Sequence, residues 1–161
     1  MVSAEADSAF VSLSGAERFE DSRGWLQVLH ESDTTILKRS FSRAGVFRGL
    51  HAQTEPSPQT KLIRVVSGRI VDFLVSLDDP ERRLLHRELT SEDGWIRIAA
   101  HFAHGFYAVE DTVFEYVCDG RYDEASEKAF SIVDELRAMG VAEPILSAKD
   151  RAAPVLREAR A

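Results

Sequence analysis

Cysteine is almost missing from this sequence, and so are two other features that would point to a particular setting. A single cysteine, Cys118, among 161 residues excludes an intramolecular disulfide and a cysteine-based metal cluster. Asp and Glu outnumber Lys and Arg by 27 to 20, and the resulting net charge of −7 argues against a nucleic-acid-binding surface. No apolar run is long enough to span a membrane, and the N-terminal segment lacks the basic-then-apolar pattern of a secretion signal. We therefore expect a cytoplasmic protein that binds neither nucleic acid nor membrane.

Short strand patterns fill most of the chain, from Phe10 to about Asp119. Thr60–Gly68 alternates between two faces, as a strand does, and Ser67-Gly68 is typical of a tight turn into a second strand over Arg69–Leu77. Closely spaced strands separated by turn residues are typical of sandwiches and barrels. We predict an all-β fold, a cupin-type jelly-roll β-sandwich or barrel.

The C-terminal third of the chain carries a different pattern. Apolar residues at helical spacing predict a short helix over Glu127–Met139, which Gly140 ends. The length suits one domain with its own core, so we assign residues 1–161 to a single domain. The core is expected over about 8–150, with 151–161 as a fraying tail.

The segment Phe47–Asp72 concentrates most of the chain's potential chemistry. It carries a histidine, an amide and several cations on what the pattern predicts to be adjacent strands around a Pro-rich loop: Arg48, His51, Gln53, Lys61 and Arg64. Such groups are costly to bury unless they meet a ligand. We therefore expect the binding site here.

A metal site is the first alternative for such a segment, since cupin-type folds bind metal through two histidines, a carboxylate and a further histidine. His51 and His104 have suitable spacing, but Gln53 takes the second histidine position and Lys61 takes the carboxylate position. An ammonium repels a divalent cation, and His101 is expected to diverge from His104 on a strand. We predict that the protein binds no metal and needs no cofactor.

Four motifs, in order along the chain, give a more specific indication. They are Arg-Gly-Leu-His at 48–51 with Gln53, Gln59-x-Lys-Leu and Asp72; Phe-Ala-His-Gly-Phe at 102–106; Tyr116 with Tyr122 and Glu127; and Leu-Ser-Ala-Lys-Asp at 146–150. Together they resemble the nucleotide-sugar 3,5-epimerases, best known as dTDP-4-dehydrorhamnose 3,5-epimerase. The resemblance implies deoxysugar biosynthesis, in which a proton is removed beside a ketone of a nucleotide-linked 4-keto-6-deoxysugar and returned at C3, C5 or both.

The resemblance also implies roles for individual residues. His51 would be the base, Asp150 would orient it, Lys61 would stand near the enolate oxygen and Tyr116 would return a proton from the opposite face. The residues that would bind the substrate are Arg23, Arg48, Gln53, His104, Tyr122 and Glu127. Family members pair as dimers through an exchanged or shared strand, so a homodimer is expected, with Phe10–Leu13 available for the exchange.

The sequence departs from the family where the nucleotide base should bind. Leu26 and Val28 stand where an aromatic residue and a glutamate are common, and a Gln-x-Asn-x-Ser element is reduced to Lys38–Ser42. The identity of the nucleotide therefore stays open. Two alternatives also stay open: a keto-sugar isomerase that moves the carbonyl, and a non-catalytic jelly roll that binds sugar nucleotides.

Overall fold

Two antiparallel sheets make up most of the protein. The computed structural model describes residues 17–156. The strands are β1 Arg18–Asp21, β2 Gly24–Glu31, β3 Thr35–Ser42, β4 Phe47–Gln53, β5 Thr60–Ser67, β6 Arg69–Ser76, β7 Leu84–Thr90, β8 Ile96–Ile98, β9 Phe102–Ala108, β10 Thr112–Asp119 and β11 Glu127–Ala129. The six-stranded sheet has the order β1-β2-β3-β10-β5-β8, and the five-stranded sheet has the order β11-β4-β9-β6-β7. This arrangement confirms the predicted all-β, jelly-roll class.

Alternation along the strands builds the core between the two sheets. On β5, Ile63 and Val65 point inward and are buried, whereas Leu62 and Val66 are exposed. Phe114 of β10 and Ile70 of β6 join the same buried cluster. The inner faces therefore supply apolar packing around one end of the site described below.

The C-terminal segment covers the other face of the five-stranded sheet. Two short helices, α1 Val133–Ala138 and α2 Ala148–Ala152, lie in this segment. Leu136 of α1 and Leu156 are buried in one cluster with Phe73 of β6. This sheet thus has apolar residues on both faces, as expected for the central layer of a structure with packing on each side.

The predicted pairing within Phe47–Asp72 is wrong, because β4 and β5 lie in different sheets and face each other across the sandwich. The turn at Ser67-Gly68 likewise connects the two sheets and does not close a hairpin. Gly68 has a φ of +86°, and a Cβ there would lie 2.3 Å from the Asp111 carbonyl oxygen. Only glycine fits this crossing. The predicted turn is therefore present, but the strands on its two sides do not pair with each other.

The predicted helix over Glu127–Met139 is too long. Its first three residues form β11, which pairs with β4 through Glu127 opposite Gln53 and Ala129 opposite His51. Hydrogen bonds to β4 satisfy this backbone, so the helix begins only at Val133. The predicted end at Gly140 is confirmed by its φ of +95°.

The predicted tail also begins too early. Leu156 is buried, its N–H donates to the Ser131 carbonyl at 3.0 Å, and Ser131 bridges Val155. The prediction is therefore wrong for residues 151–156. The remainder of the predicted tail, 157–161, and the N-terminal strand Phe10–Leu13 lie outside the described residues. Among residues 17–156, no helix is long and apolar enough to cross a membrane.

Candidate active site

A cavity of about 340 Å³ lies between the two sheets. Both sheets and the loop before α2 contribute to its wall: Arg23, Leu26, Arg48, His51, Lys61, His104, Gly105, Phe106, Phe114, Tyr116, Ser147 and Lys149. Six of the ten residues expected in the site line this cavity, and they come from parts of the chain that are far apart in sequence.

An irregularity in β4 brings two of these residues to the same face. Arg48 and His51 are three residues apart, so a regular strand would place them on opposite faces. The register of β4 against β9 shifts between them, in the segment that contains Gly49. A Cβ at Gly49 would lie 2.6 Å from the Cα of Gly105, and one at Gly105 would lie 2.5 Å from the Arg48 carbonyl oxygen. Two glycines therefore permit the close approach that turns both side chains into the cavity.

His51 and Asp150 form a hydrogen-bonded pair at the cavity wall. His51 Nε2 lies 2.7 Å from Asp150 Oδ1. Asp150 sits in the first turn of α2, where the Ser147 hydroxyl accepts a hydrogen bond from its N–H at 3.0 Å. Burial acts to raise the pKa of Asp150, but the hydrogen bond and charge of His51, with Ser147 and Arg23, lower it overall. The pair is an ionised carboxylate holding one nitrogen of an imidazole.

Lys61 reaches the same region from the facing sheet. Its Nζ donates a hydrogen bond to the His51 carbonyl oxygen at 3.1 Å. Removal from water lowers the pKa of Lys61. The side chain thus brings a hydrogen-bond donor beside His51.

Tyr116 lies on β10, in the sheet that faces His51. Its ring centroid is 5.9 Å from that of Phe114, and Lys38 Nζ lies 5.6 Å above the ring. Burial raises the pKa of Tyr116 well above its usual range. The phenol is therefore protonated at neutral pH and can give up a proton to a strongly basic partner.

Two arginines give the cavity positive charge. Arg48 Nε donates to the Ser42 hydroxyl at 2.9 Å, and a second guanidinium nitrogen donates to the Phe41 carbonyl at 3.2 Å. Arg23 donates a hydrogen bond to the Asp21 carboxylate, and its Nη1 lies 3.7 Å from Asp150 Oδ2. Burial and the charge of Arg23 lower the pKa of Arg48. A diphosphate is the kind of anion that such a pair of guanidinium groups binds.

His104 forms a second His–carboxylate pair in the wall. Its Nε2 lies 2.7 Å from Asp72 Oδ1, and both side chains are buried. His104 stands opposite His51 in the register of β4 and β9. Asp72 belongs to the first sequence motif, but the sequence did not predict that it would pair with His104.

Four of the expected residues do not line the cavity: Asp150, which reaches it only through His51, and Gln53, Tyr122 and Glu127. Gln53 is buried, and its Oε1 accepts the Asp123 N–H at 2.9 Å, so it holds the loop before β11. The Tyr122 hydroxyl donates to Glu127 Oε2 at 3.1 Å. Glu127 in turn lies beside His51, with Oε1 3.9 Å from its Nδ1.

Several lining residues were missed. Lys149 lies in the Leu-Ser-Ala-Lys-Asp motif, but the family resemblance implies a role only for its neighbour Asp150. Leu26 departs from the family pattern, yet it lines the cavity. Phe106 and Phe114 carried no signal that separates a cavity wall from an ordinary core. Among residues 17–156, no three His, Cys, Asp or Glu side chains are grouped to hold a metal ion, and metal-free chemistry stays a prediction.

Comparison with known proteins identifies the family. The model of the dTDP-4-dehydrorhamnose 3,5-epimerase family matches residues 9–158. The chain belongs to this family of isomerases. The family accounts for the jelly-roll frame and the four ordered motifs together.

Three relatives illustrate the range of this similarity. The dTDP-4-dehydrorhamnose 3,5-epimerase of Mycobacterium tuberculosis is 30% identical over 82% of this chain and 70% of its own. A dTDP-4-dehydrorhamnose 3-epimerase of Streptomyces niveus is 29% identical over 98% of this chain and 77% of its own. The structure of a Legionella pneumophila 3,5-epimerase in complex with dTDP-4-keto-L-rhamnose superposes with a TM-score of 0.64 at 29% identity, covering 88% of this chain and 85% of that one.

Proposed function

We propose that this protein is a cofactor-independent epimerase of a nucleotide-diphosphate-linked 4-keto-6-deoxysugar, acting at C3, C5 or both in deoxysugar biosynthesis. The observation that carries the proposal is the placement of His51 and Tyr116 on facing sheets around one cavity. Inversion of a carbon requires a proton to leave from one face and return to the other. A base and a phenol on opposite walls meet that requirement.

His51 is the base in this scheme. The 4-keto group acidifies the hydrogens on C3 and C5, and Asp150 holds Nε2 of the imidazole 2.7 Å away, which leaves Nδ1 to take a proton. The electron pair of the broken C–H bond moves into an enolate. Tyr116 then gives its proton to the same carbon from the other face.

Lys61 stabilises the enolate. Its ammonium lies beside His51, and a cation in a site removed from water interacts strongly with a developing oxyanion. Arg48 and Arg23 bind the diphosphate, with His104 alongside the sugar. These roles agree with the residue types and positions that surround the cavity.

The nucleotide base is not assigned by these contacts. Leu26 lines the cavity where the family commonly has an aromatic residue, so stacking on the base depends on Tyr122, whose side chain is exposed. A thermal-shift series with dTDP, UDP, GDP and CDP identifies the nucleotide, because the bound one raises the melting temperature.

We further propose that the chain forms one domain, that two chains form a homodimer and that the protein is cytoplasmic. The outer face of the six-stranded sheet supports the dimer, because Leu62, Val66 and Trp95 are exposed there. Strand β1 is an edge of that sheet, with all four residues exposed. Light scattering on purified protein tests the dimer, and a mass equal to one chain contradicts it.

The activity is tested by incubating the protein with a dTDP-linked 4-keto-6-deoxysugar and resolving the product by NMR. The proposal predicts inverted configuration at C3, C5 or both with the ketone still at C4. A product whose ketone has moved identifies the isomerase alternative. A folded sample that binds dTDP but converts no nucleotide sugar identifies the non-catalytic alternative.

A further inference from the structure

His51 has a carboxylate beside each of its two ring nitrogens. Asp150 Oδ1 lies 2.7 Å from Nε2, and Glu127 Oε1 lies 3.9 Å from Nδ1. Because Asp150 engages Nε2, the nitrogen left for the substrate's proton is the one that faces Glu127. A residue that family resemblance placed at the nucleotide therefore stands next to the atom that does the chemistry.

The contacts of Glu127 hold it in a fixed direction. The Tyr122 hydroxyl donates to Oε2 at 3.1 Å, and Lys149 Nζ forms an ion pair with the same oxygen. Both partners therefore bind Oε2, and Oε1 is the oxygen that points toward His51. The backbone is fixed as well, since Ala129 of the same strand pairs with His51.

Glu127 is ionised in this arrangement. Burial acts to raise its pKa, but the hydrogen bond of Lys149, the charges of His51 and Lys149 and the hydroxyl of Tyr122 lower it overall. A negative oxygen about 4 Å from an imidazole stabilises the protonated ring when the site is shielded from water.

We propose that Glu127 is a positioning residue for His51, which accepts a hydrogen bond from Nδ1–H once that nitrogen has taken the substrate's proton. This inference rests on the proposed epimerase function. In the step concerned, the C–H bond breaks, its electron pair enters the enolate and its proton forms the N–H bond on Nδ1. The resulting imidazolium is then held between two carboxylates, Asp150 at Nε2 and Glu127 at Nδ1.

Lys149 connects this arrangement to substrate binding. It lines the cavity with Arg23 and Arg48, and it precedes Asp150 in α2. In the free protein its ammonium neutralises part of the charge on Glu127. A diphosphate bound by the arginines would compete with Glu127 for this ammonium. A larger share of the charge on Glu127 would then act on His51 when a diphosphate-linked substrate is bound.

Charged and titratable groups face His51 from every neighbouring element. They are Lys61 on β5, Arg48 on β4, His104 on β9, Tyr116 on β10, Arg23 before β2, Glu127 on β11, and Lys149 and Asp150 on α2. Substitution of Glu127 also removes the partner of Lys149 and Tyr122, so K149M and Y122F are needed to separate their effect on the pH dependence of turnover from that of Glu127.

The test compares E127Q and E127D with the wild type by kcat, by KM and by the Kd for dTDP. We expect E127Q to lower kcat about 10- to 100-fold and to shift the acidic limb of its pH profile, with the Kd for dTDP within about twofold of wild type. E127D keeps the carboxylate at a longer distance and should recover part of kcat. A normal kcat with raised KM and weaker dTDP binding overturns the inference and shows that Glu127 contacts the nucleotide.

Two further variants keep the test decisive if E127Q does not fold. Y122F removes one hydroxyl that holds Glu127 and should lower kcat less than E127Q. K149M should raise KM about tenfold, with a smaller effect on kcat than E127Q, because Glu127 keeps its carboxylate and its hydrogen bond from Tyr122 and loses only the neutralising ammonium. A kcat loss in K149M as large as that in E127Q overturns the coupling. If the wild type itself turns over no nucleotide sugar, the proposed function has failed, and the comparison of variants is not reached.

Discussion

Asp150 Oδ1 lies 2.7 Å from His51 Nε2, although 99 positions separate the two residues in sequence. The pair is completed only because α2 packs beside β4, with the Ser147 cap fixing the first turn of the helix. The proposed base thus depends on α2, although the sequence pattern predicts that a tail begins at residue 151, within this helix.

Replacing Asp150 with Asn tests the pair directly. The neutral amide no longer stabilises the imidazolium, so we expect kcat/KM to fall about 10²- to 10⁴-fold with little change in dTDP binding. Asp134→Asn is a matched control, because Asp134 pairs with Arg137 on the exposed side of α1. Equal activity in both variants would show that Asp150 has only a structural role.

Tyr116→Phe should separate exchange from inversion. Proton removal by His51 does not need the phenol, but return of a proton to the opposite face does. In deuterated water we expect the variant to exchange the hydrogen next to the ketone while the carbon keeps its configuration, as read by NMR of recovered substrate. Inversion at the wild-type rate would exclude Tyr116 as the proton donor.

Glu115 provides a prediction about stability and pH. Its carboxylate is buried between Arg39 and Arg64, and their hydrogen bonds outweigh burial and lower its pKa from the usual 4.5. Because the folded-state pKa is the lower one, the stabilisation is complete above the unfolded value and is lost as the pH falls through the folded value. Glu115→Gln should reduce the free energy of unfolding by about 1–3 kcal/mol at neutral pH.

Urea unfolding at neutral and acidic pH measures this effect, and the difference between wild type and Glu115→Gln should shrink below about pH 4. Glu110→Gln is the control, since Glu110 forms an exposed pair with Arg69 and should change stability by less than about 0.5 kcal/mol. A constant difference across pH would show that the ionised form of Glu115 is not what stabilises the fold.

Gly49→Ala tests the approach of β4 to β9. Gly49 has a φ of +118°, and a methyl group there would collide with Gly105. We therefore expect the free energy of unfolding to fall by at least about 3 kcal/mol and the activity to be lost. Gly94→Ala shares the positive φ, at +66°, but has open space, and it should cost only the conformational strain of about 1–3 kcal/mol. Similar losses in the two variants would mean that backbone conformation, and not the close approach, determines the cost.

Strand patterns predicted the all-β class, because alternation is a local property, and the family motifs predicted six of the twelve residues that line the cavity. They did not predict that β4 and β5 face each other across the sandwich, since pairing depends on contacts far along the chain. The sequence also did not predict that Arg48 and His51 point to the same side, because this depends on the register shift of β4 against β9 between them. Glu127 was assigned to a helix because its pairing with β4 lies beyond any local periodicity.

The central claim is that His51 removes a proton from carbon beside the ketone of a nucleotide-linked sugar. Solvent deuterium incorporation, followed by NMR for wild type and His51→Asn side by side, measures that step directly. We predict incorporation at C3, C5 or both by the wild type, and a rate about 10²- to 10⁴-fold lower for His51→Asn with dTDP binding retained. Undiminished incorporation by His51→Asn, or none by folded wild type on any nucleotide 4-keto sugar, would contradict it.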